Sequence, residues 1–137
     1  MSKVEDFLTA TQEKDIIEAI RVAEKDTSGE IRIHLEKHTE VEPLERAKEI
    51  FYFLNMDKTQ LKNGVLFYVA VEDKKFSILG DKGINEVVPD NFWDNVKDIV
   101  LEKFKKGMFA EGLELGIKET GNKLKEFFPY QKDDKNE

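Results

Sequence analysis

Asn63-Gly64-Val65-Leu66-Phe67-Tyr68-Val69-Ala70-Val71 is the stretch whose reading decides the fold. Seven apolar or aromatic residues run unbroken over 65–71, and three of them are valines. A run this short and this apolar, opened by Asn-Gly, predicts a central strand covered on both faces. Glu72-Asp73-Lys74-Lys75 follows as a polar hairpin turn. Phe76-Ser77-Ile78-Leu79 then returns as an antiparallel strand and ends in Gly80-Asp81-Lys82-Gly83.

Upstream, residues 30–37 alternate, with Ile31, Ile33 and Leu35 on one face and Arg32, His34 and Glu36 on the other. That pattern predicts a strand with one face more buried than the other. Before it, Ile16, Ile17, Ile20 and Ala23 mark one face of a helix over about 11–25. Thr9 with Gln12 fits a capping box, with Thr11 as a rival N-cap. Asp26-Thr27-Ser28-Gly29 stops that helix, and Gly29 suits a positive φ. Between the two strands, Pro43 opens a helix whose stripe is Leu44, Ala47, Ile50, Phe51 and Leu54. A strand, a helix and a second strand in this order predict a right-handed crossover joining parallel strands.

Downstream, residues 84–88 read as a short helical turn. Pro89-Asp90 opens a long helix carrying Trp93, Val96, Val100 and Phe104. Lys106-Gly107 breaks it, and a last helix over 110–128 turns Leu113, Ile117, Leu124, Phe127 and Phe128 inward before Pro129. The order α-β-α-β-β-α-α predicts an α/β class protein: a three-layer α/β/α sandwich with a small mixed sheet flanked by helices on both faces. Residues 1–130 read as a single domain and residues 131–137 as a charged, flexible tail.

Composition narrows the function classes. The chain has 137 residues, 22 Lys plus Arg against 29 Asp plus Glu, and a net charge of −7. Ten Phe, three Tyr and one Trp are too many for a disordered chain. With no cysteine, disulfides, thiolate metal sites and cysteine nucleophiles are excluded. The acidic balance argues against nucleic acid as a partner. No apolar run reaches the length of about 18 residues that a membrane span needs, and Met1-Ser2-Lys3-Val4-Glu5-Asp6 lacks a signal-peptide core. The expectation is a monomeric cytoplasmic protein.

The topology brings the starts of the two parallel strands and the end of the third to one sheet edge. Ser28-Gly29-Glu30, Lys62-Asn63-Gly64 and Gly80-Asp81-Lys82-Gly83 therefore gather there, with the turn Pro89-Asp90-Asn91-Phe92-Trp93-Asp94 close in sequence. Glu30, Asp81, Asp90 and Asp94 are the carboxylates expected to converge, since Asp90 and Asp94 share a helical face. Ser28, Asn63 and Asn91 add neutral oxygens. Hard cations take several such ligands. Spacing alone favours a plainer reading: Asp81 is an ordinary turn residue, and Asp90 an ordinary N-cap whose charge suits the helix dipole.

The segments Asn63-Gly64-Val65-Leu66-Phe67-Tyr68-Val69-Ala70, Phe76-Ser77-Ile78-Leu79-Gly80-Asp81-Lys82-Gly83-Ile84 and Phe104-Lys105-Lys106-Gly107-Met108-Phe109-Ala110-Glu111-Gly112-Leu113 resemble the TPM domain family. Thr27-Ser28-Gly29-Glu30-Ile31 and the spacing to Trp93 fit the same pattern. That family is named from a thylakoid-lumen protein, a photosystem II repair protein and a nematode modulator of acetylcholine receptors. The resemblance is to its short, free-standing bacterial form. It implies an α/β/α sandwich with a loop pocket for a divalent cation, calcium in particular, with magnesium as the alternative. It places Asp81, in the Gly-Asp-x-Gly turn, first among the ligands; Glu30, then Asp94 and Asp90, follow mainly from the topology. It also brings an acid-phosphatase label from the thylakoid branch.

The expected function is therefore divalent-cation binding in an accessory or binding role, with metal-assisted phosphomonoester hydrolysis in the same pocket as the alternative and no catalytic residue assigned. His34 and His38 read as structural or exposed. Lys97, Lys103, Lys105 and Lys106 read as a solvated helix face. Phe51-Tyr52-Phe53 reads as contact with another layer of the sandwich, and Phe127-Phe128-Pro129-Tyr130 as packing or a docking point.

Overall fold

The computed structural model describes residues 7–129. Its elements are α1 (Ala10–Glu24), β1 (Glu30–Glu36), α2 (Pro43–Phe53), a 3-10 turn (Met56–Lys58), β2 (Gly64–Ala70), β3 (Lys75–Gly80), α3 (Lys82–Asn85), α4 (Phe92–Lys105) and α5 (Phe109–Phe127). The sheet order is β1-β2-β3, with β1 parallel and β3 antiparallel to β2. Tyr130 and the charged tail lie outside the described residues.

Every residue of β2 is buried, as its composition requires. Ile31, Val65, Phe67, Val69, Phe76 and Ile78 face a large core closed by α1, α4 and α5. Leu66, Tyr68 and Ala70 face a smaller core closed by α2 and Met56. Alternation along β2 thus feeds two cores from one strand. Each large side chain buried this way contributes about 1.5–3 kcal/mol.

Thr9 caps α1: its hydroxyl accepts from Gln12 N at 3.1 Å, and its own N–H donates to Gln12 Oε1 at 2.9 Å. Thr11 lies inside the helix. Gly29 does not take the positive φ expected of it. Among the described glycines, Gly107 alone does, at 75°, where α4 passes into α5. Gly29 is there for space, because a Cβ would sit 2.6 Å from Leu124 Cδ2 on α5.

Asp90 is likewise not a cap. The helix begins at Phe92, whose N–H already donates to Pro89 O at 2.9 Å, and Asn91 holds the cap position. Phe51 is 2% exposed, but Tyr52 and Phe53 are 62% and 81% exposed. No further layer covers them among the described residues, because α2 is itself the outer layer on its side of the sheet.

Phe127 lies at the surface while Phe128 packs on the large core. Thr27 bridges Pro129 and ties the end of α5 to the end of α1. Lys103 and Lys106 pair with Glu111 and Glu102 at 3.5 and 3.7 Å, as in a solvated, salt-bridged face.

Candidate cation site at the sheet edge

Strand register builds the site. Glu30 pairs with Gly64, and Val65 with Gly80. The next residue, Asp81, is opposite Gly64 and donates its N–H to Gly64 O at 2.9 Å. Glu30, Gly64 and Asp81 thus form one row across the three strands. By alternation the row faces α2, like Leu66 and Leu79.

The middle member has no side chain, which leaves a gap over Gly64. A Cβ on Gly64 would meet Met56 O at 3.4 Å, Met56 Cε at 3.6 Å and Glu30 Oε1 at 3.9 Å. A backbone carbonyl, a methionine methyl and a carboxylate oxygen therefore border this gap.

Asp81 enters with one oxygen committed. Its Oδ1 accepts the Lys82 N–H at 2.8 Å and caps α3. Its Oδ2 is buried and has no hydrogen-bond partner among the described residues, and neither does Thr59 Oγ1 in the preceding loop. A buried carboxylate oxygen without a donor is costly unless something else satisfies it.

The loop that brings Met56 and Thr59 here is clamped to α3. Ile84 N donates to Lys62 O at 3.3 Å, and Lys62 Nζ to Asp57 O at 2.6 Å. Gly83 permits the approach: a Cβ there would be 2.1 Å from Leu61 O.

Glu30 also has one oxygen engaged, for Arg32 Nε donates to its Oε2 at 3.1 Å. Nearby, Glu24 Oε2 accepts the Ile31 N–H at 2.7 Å. Burial raises the pKa of Glu24, and the neighbouring Glu30 charge raises it further.

Asp90 and Asp94 are exposed at the start of α4, which packs on the opposite face of the sheet. There Trp93 covers Gly80 and donates from Nε1 to Asn85 Oδ1 at 2.6 Å. Asn63 is buried, and its Nδ2 donates to Ser28 Oγ at 3.3 Å, which engages the amide nitrogen of Asn63 and the hydroxyl of Ser28. Asn91 is exposed at the helix cap. Among the described residues, no three His, Cys, Asp or Glu side chains come together as one metal-holding group. A cation held by this edge would take mixed ligands, with Glu30 and Asp81 as its two carboxylates and Met56 O as a backbone ligand. The donors are all oxygen, which suits a hard ion.

His34 lies four residues along β1 from Glu30, about 13 Å away at strand rise, and His38 lies beyond the far end of the strand. His34 stacks on Tyr68 and approaches Glu36 Oε2 at 3.5 Å. His38 Nδ1 contacts Asp73 at 2.9 Å and its Nε2 contacts Glu40 at 3.0 Å. Those acids, Asp73 foremost, raise its pKa and occupy both ring nitrogens.

The family model of the TPM domain matches residues 1–123. The chain belongs to the TPM domain family. This TPM-domain chain is 57% identical to the BA42 protein of the psychrophilic bacterium Bizionia argentinensis, known from an NMR structure. That match covers 98% of this chain and 92% of that one, with a TM-score of 0.88. Two more distant NMR structures share the fold. The N-terminal domain of the cg2496 protein of Corynebacterium glutamicum has 13% identity and a TM-score of 0.68, covering 85% of this chain and 74% of that one. The N-terminal domain of a P. gingivalis protein has 16% identity and a TM-score of 0.67, covering 91% and 83%. No curated protein matches the chain. Among the described residues of this TPM domain, no helix is long and apolar enough to cross a membrane.

Three participants escaped the sequence reading. Met56 contributes a backbone oxygen, which no residue type announces. Arg32 was legible in outline, lying two residues from Glu30 on the same strand face. Glu24 had a signal too: an acid in the last turn of a helix opposes the macrodipole, so another contact has to hold it.

Proposed function

We propose that this TPM-domain protein is a divalent-cation-binding module, with calcium as its ion, acting in an accessory or binding role. The carrying observation is the row Glu30-Gly64-Asp81, in which Gly64 separates two acidic residues, Glu30 Oε1, Met56 O and the Met56 methyl border the space over it, and Asp81 Oδ2 is buried with no hydrogen-bond partner among the described residues. Glu30, Asp81 and the Met56 carbonyl would hold the ion. Irregular loop oxygens suit calcium, which tolerates looser geometry than magnesium.

The test is a calcium titration followed by amide NMR at constant ionic strength, with magnesium as the control. Saturable shifts at Glu30, Met56, Gly64 and Asp81, weakened about tenfold or more in Asp81→Asn, are the expected result. Diffuse, unsaturable shifts overturn the proposal. Metal-dependent turnover of p-nitrophenyl phosphate that vanishes in Asp81→Asn would replace the accessory role with phosphomonoester hydrolysis.

A further inference from the structure

We infer that Arg32 sets the affinity of this site by competing with the cation for Glu30. The inference rests on the cation-binding reading above and concerns how that site is regulated. Glu30 and Arg32 are two apart on β1 and so emerge on the same face, beside the gap over Gly64. Arg32 Nε donates to Glu30 Oε2 at 3.1 Å, while Glu30 Oε1 is turned toward the gap. A cation in that gap would therefore share the Glu30 carboxylate with the Arg32 guanidinium.

The Arg32 contact is built to yield. It is a single Nε bond between side chains that are 47% and 33% exposed, and such pairs are held weakly. Arg46 on α2 is different. It reaches Glu36 through both Nε and a terminal nitrogen and also binds Glu49 through Nη1. Arg32 neutralises Glu30 while no divalent ion is present. Once one binds, the guanidinium remains a fixed positive charge a few ångströms away. A divalent ion about 6 Å from it in a water-like dielectric loses about tenfold in affinity, reduced to about threefold by screening at physiological salt.

A residue that merely positioned Glu30 would have the opposite effect, since its removal would weaken binding. Calcium titrations of the wild type, Arg32→Gln and Arg32→Lys, read by amide NMR at about 20 mM and about 150 mM salt, separate the two roles. Arg32→Gln is expected to bind about three- to tenfold more tightly than wild type, with the advantage shrinking at the higher salt. Arg32→Lys is expected to stay near wild type. Saturable wild-type binding that Arg32→Gln leaves unchanged or weakens overturns the inference and spares the cation-binding reading. Absence of saturable binding in both proteins overturns that reading and the inference together. Binding by Arg32→Gln alone supports both.

Discussion

Tyr68 donates its hydroxyl to Oε1 of Glu36 at 2.7 Å, joining a fully buried phenol on the central strand to the last residue of the edge strand. The same carboxylate accepts Arg46 Nε at 2.9 Å, so α2 is fastened to the sheet through a charged network rather than by packing alone. The Arg46 hydrogen bonds, aided by the Tyr68 hydroxyl, lower the pKa of Glu36 to about 2. Burial and the Glu36 carboxylate push Tyr68 up to about 12.

This network predicts an acid limb in the stability profile. A carboxylate whose folded pKa is depressed stabilises the fold above its unfolded pKa, and that stabilisation is lost as pH falls through the folded value. For Glu36 the window runs from about 4.5 down to about 2, and the contribution is about 3 kcal/mol. Glu36→Gln should therefore cost about 3 kcal/mol at pH 7 and markedly less near pH 2. Urea unfolding at both pH values measures the difference, and a cost independent of pH would assign the role to packing.

Gly64→Ala separates the fold from the site. The nearest contact of the added methyl is an ordinary 3.4 Å, to Met56 O, and Gly64 has no positive φ. Stability should change by less than about 1 kcal/mol. The methyl fills the gap over Gly64, so the saturable calcium shifts should vanish while the thermal midpoint stays within a few degrees. Retained binding would place the ion elsewhere.

Gly83→Ala should do the reverse. Its methyl would fall 2.1 Å from Leu61 O and 2.5 Å from Lys62 O, both backbone atoms. The loop over 56–63 has to move off α3, at a cost of about 1–3 kcal/mol. Chemical denaturation gives the cost. The amide shifts of Met56, Thr59 and Asp81 should move together, and an unperturbed Thr59 would mean that the clamp does not position the loop.

The strands and helices were legible because their signals are local. The run over 65–71, the Thr9–Gln12 box and the Pro43 start each depend on neighbours within a few residues. Even the convergence of the strand ends followed from connectivity, since one crossover and one hairpin determine which ends share an edge. Asp90 and Asp94 show where that reasoning stops. Their spacing predicts a shared helical face, but α4 begins only at Phe92, so Asp90 precedes the helix, and spacing does not say on which face of the sheet α4 packs.

By itself, then, the sequence determined the element order, the mixed three-stranded sheet and the edge at which Glu30, Gly64 and Asp81 meet. Those are consequences of periodicity, turn chemistry and chain connectivity. Only the tertiary structure decided that Asp90 and Asp94 lie exposed at the start of a helix packed on the large core, that Asn63 Nδ2 donates to Ser28, and that Met56 O borders the gap. The physical reason is that a ligand set depends on which atoms share a small volume. Packing of elements distant in sequence settles that, through contacts such as Trp93 over Gly80 and Leu61 O over Gly83.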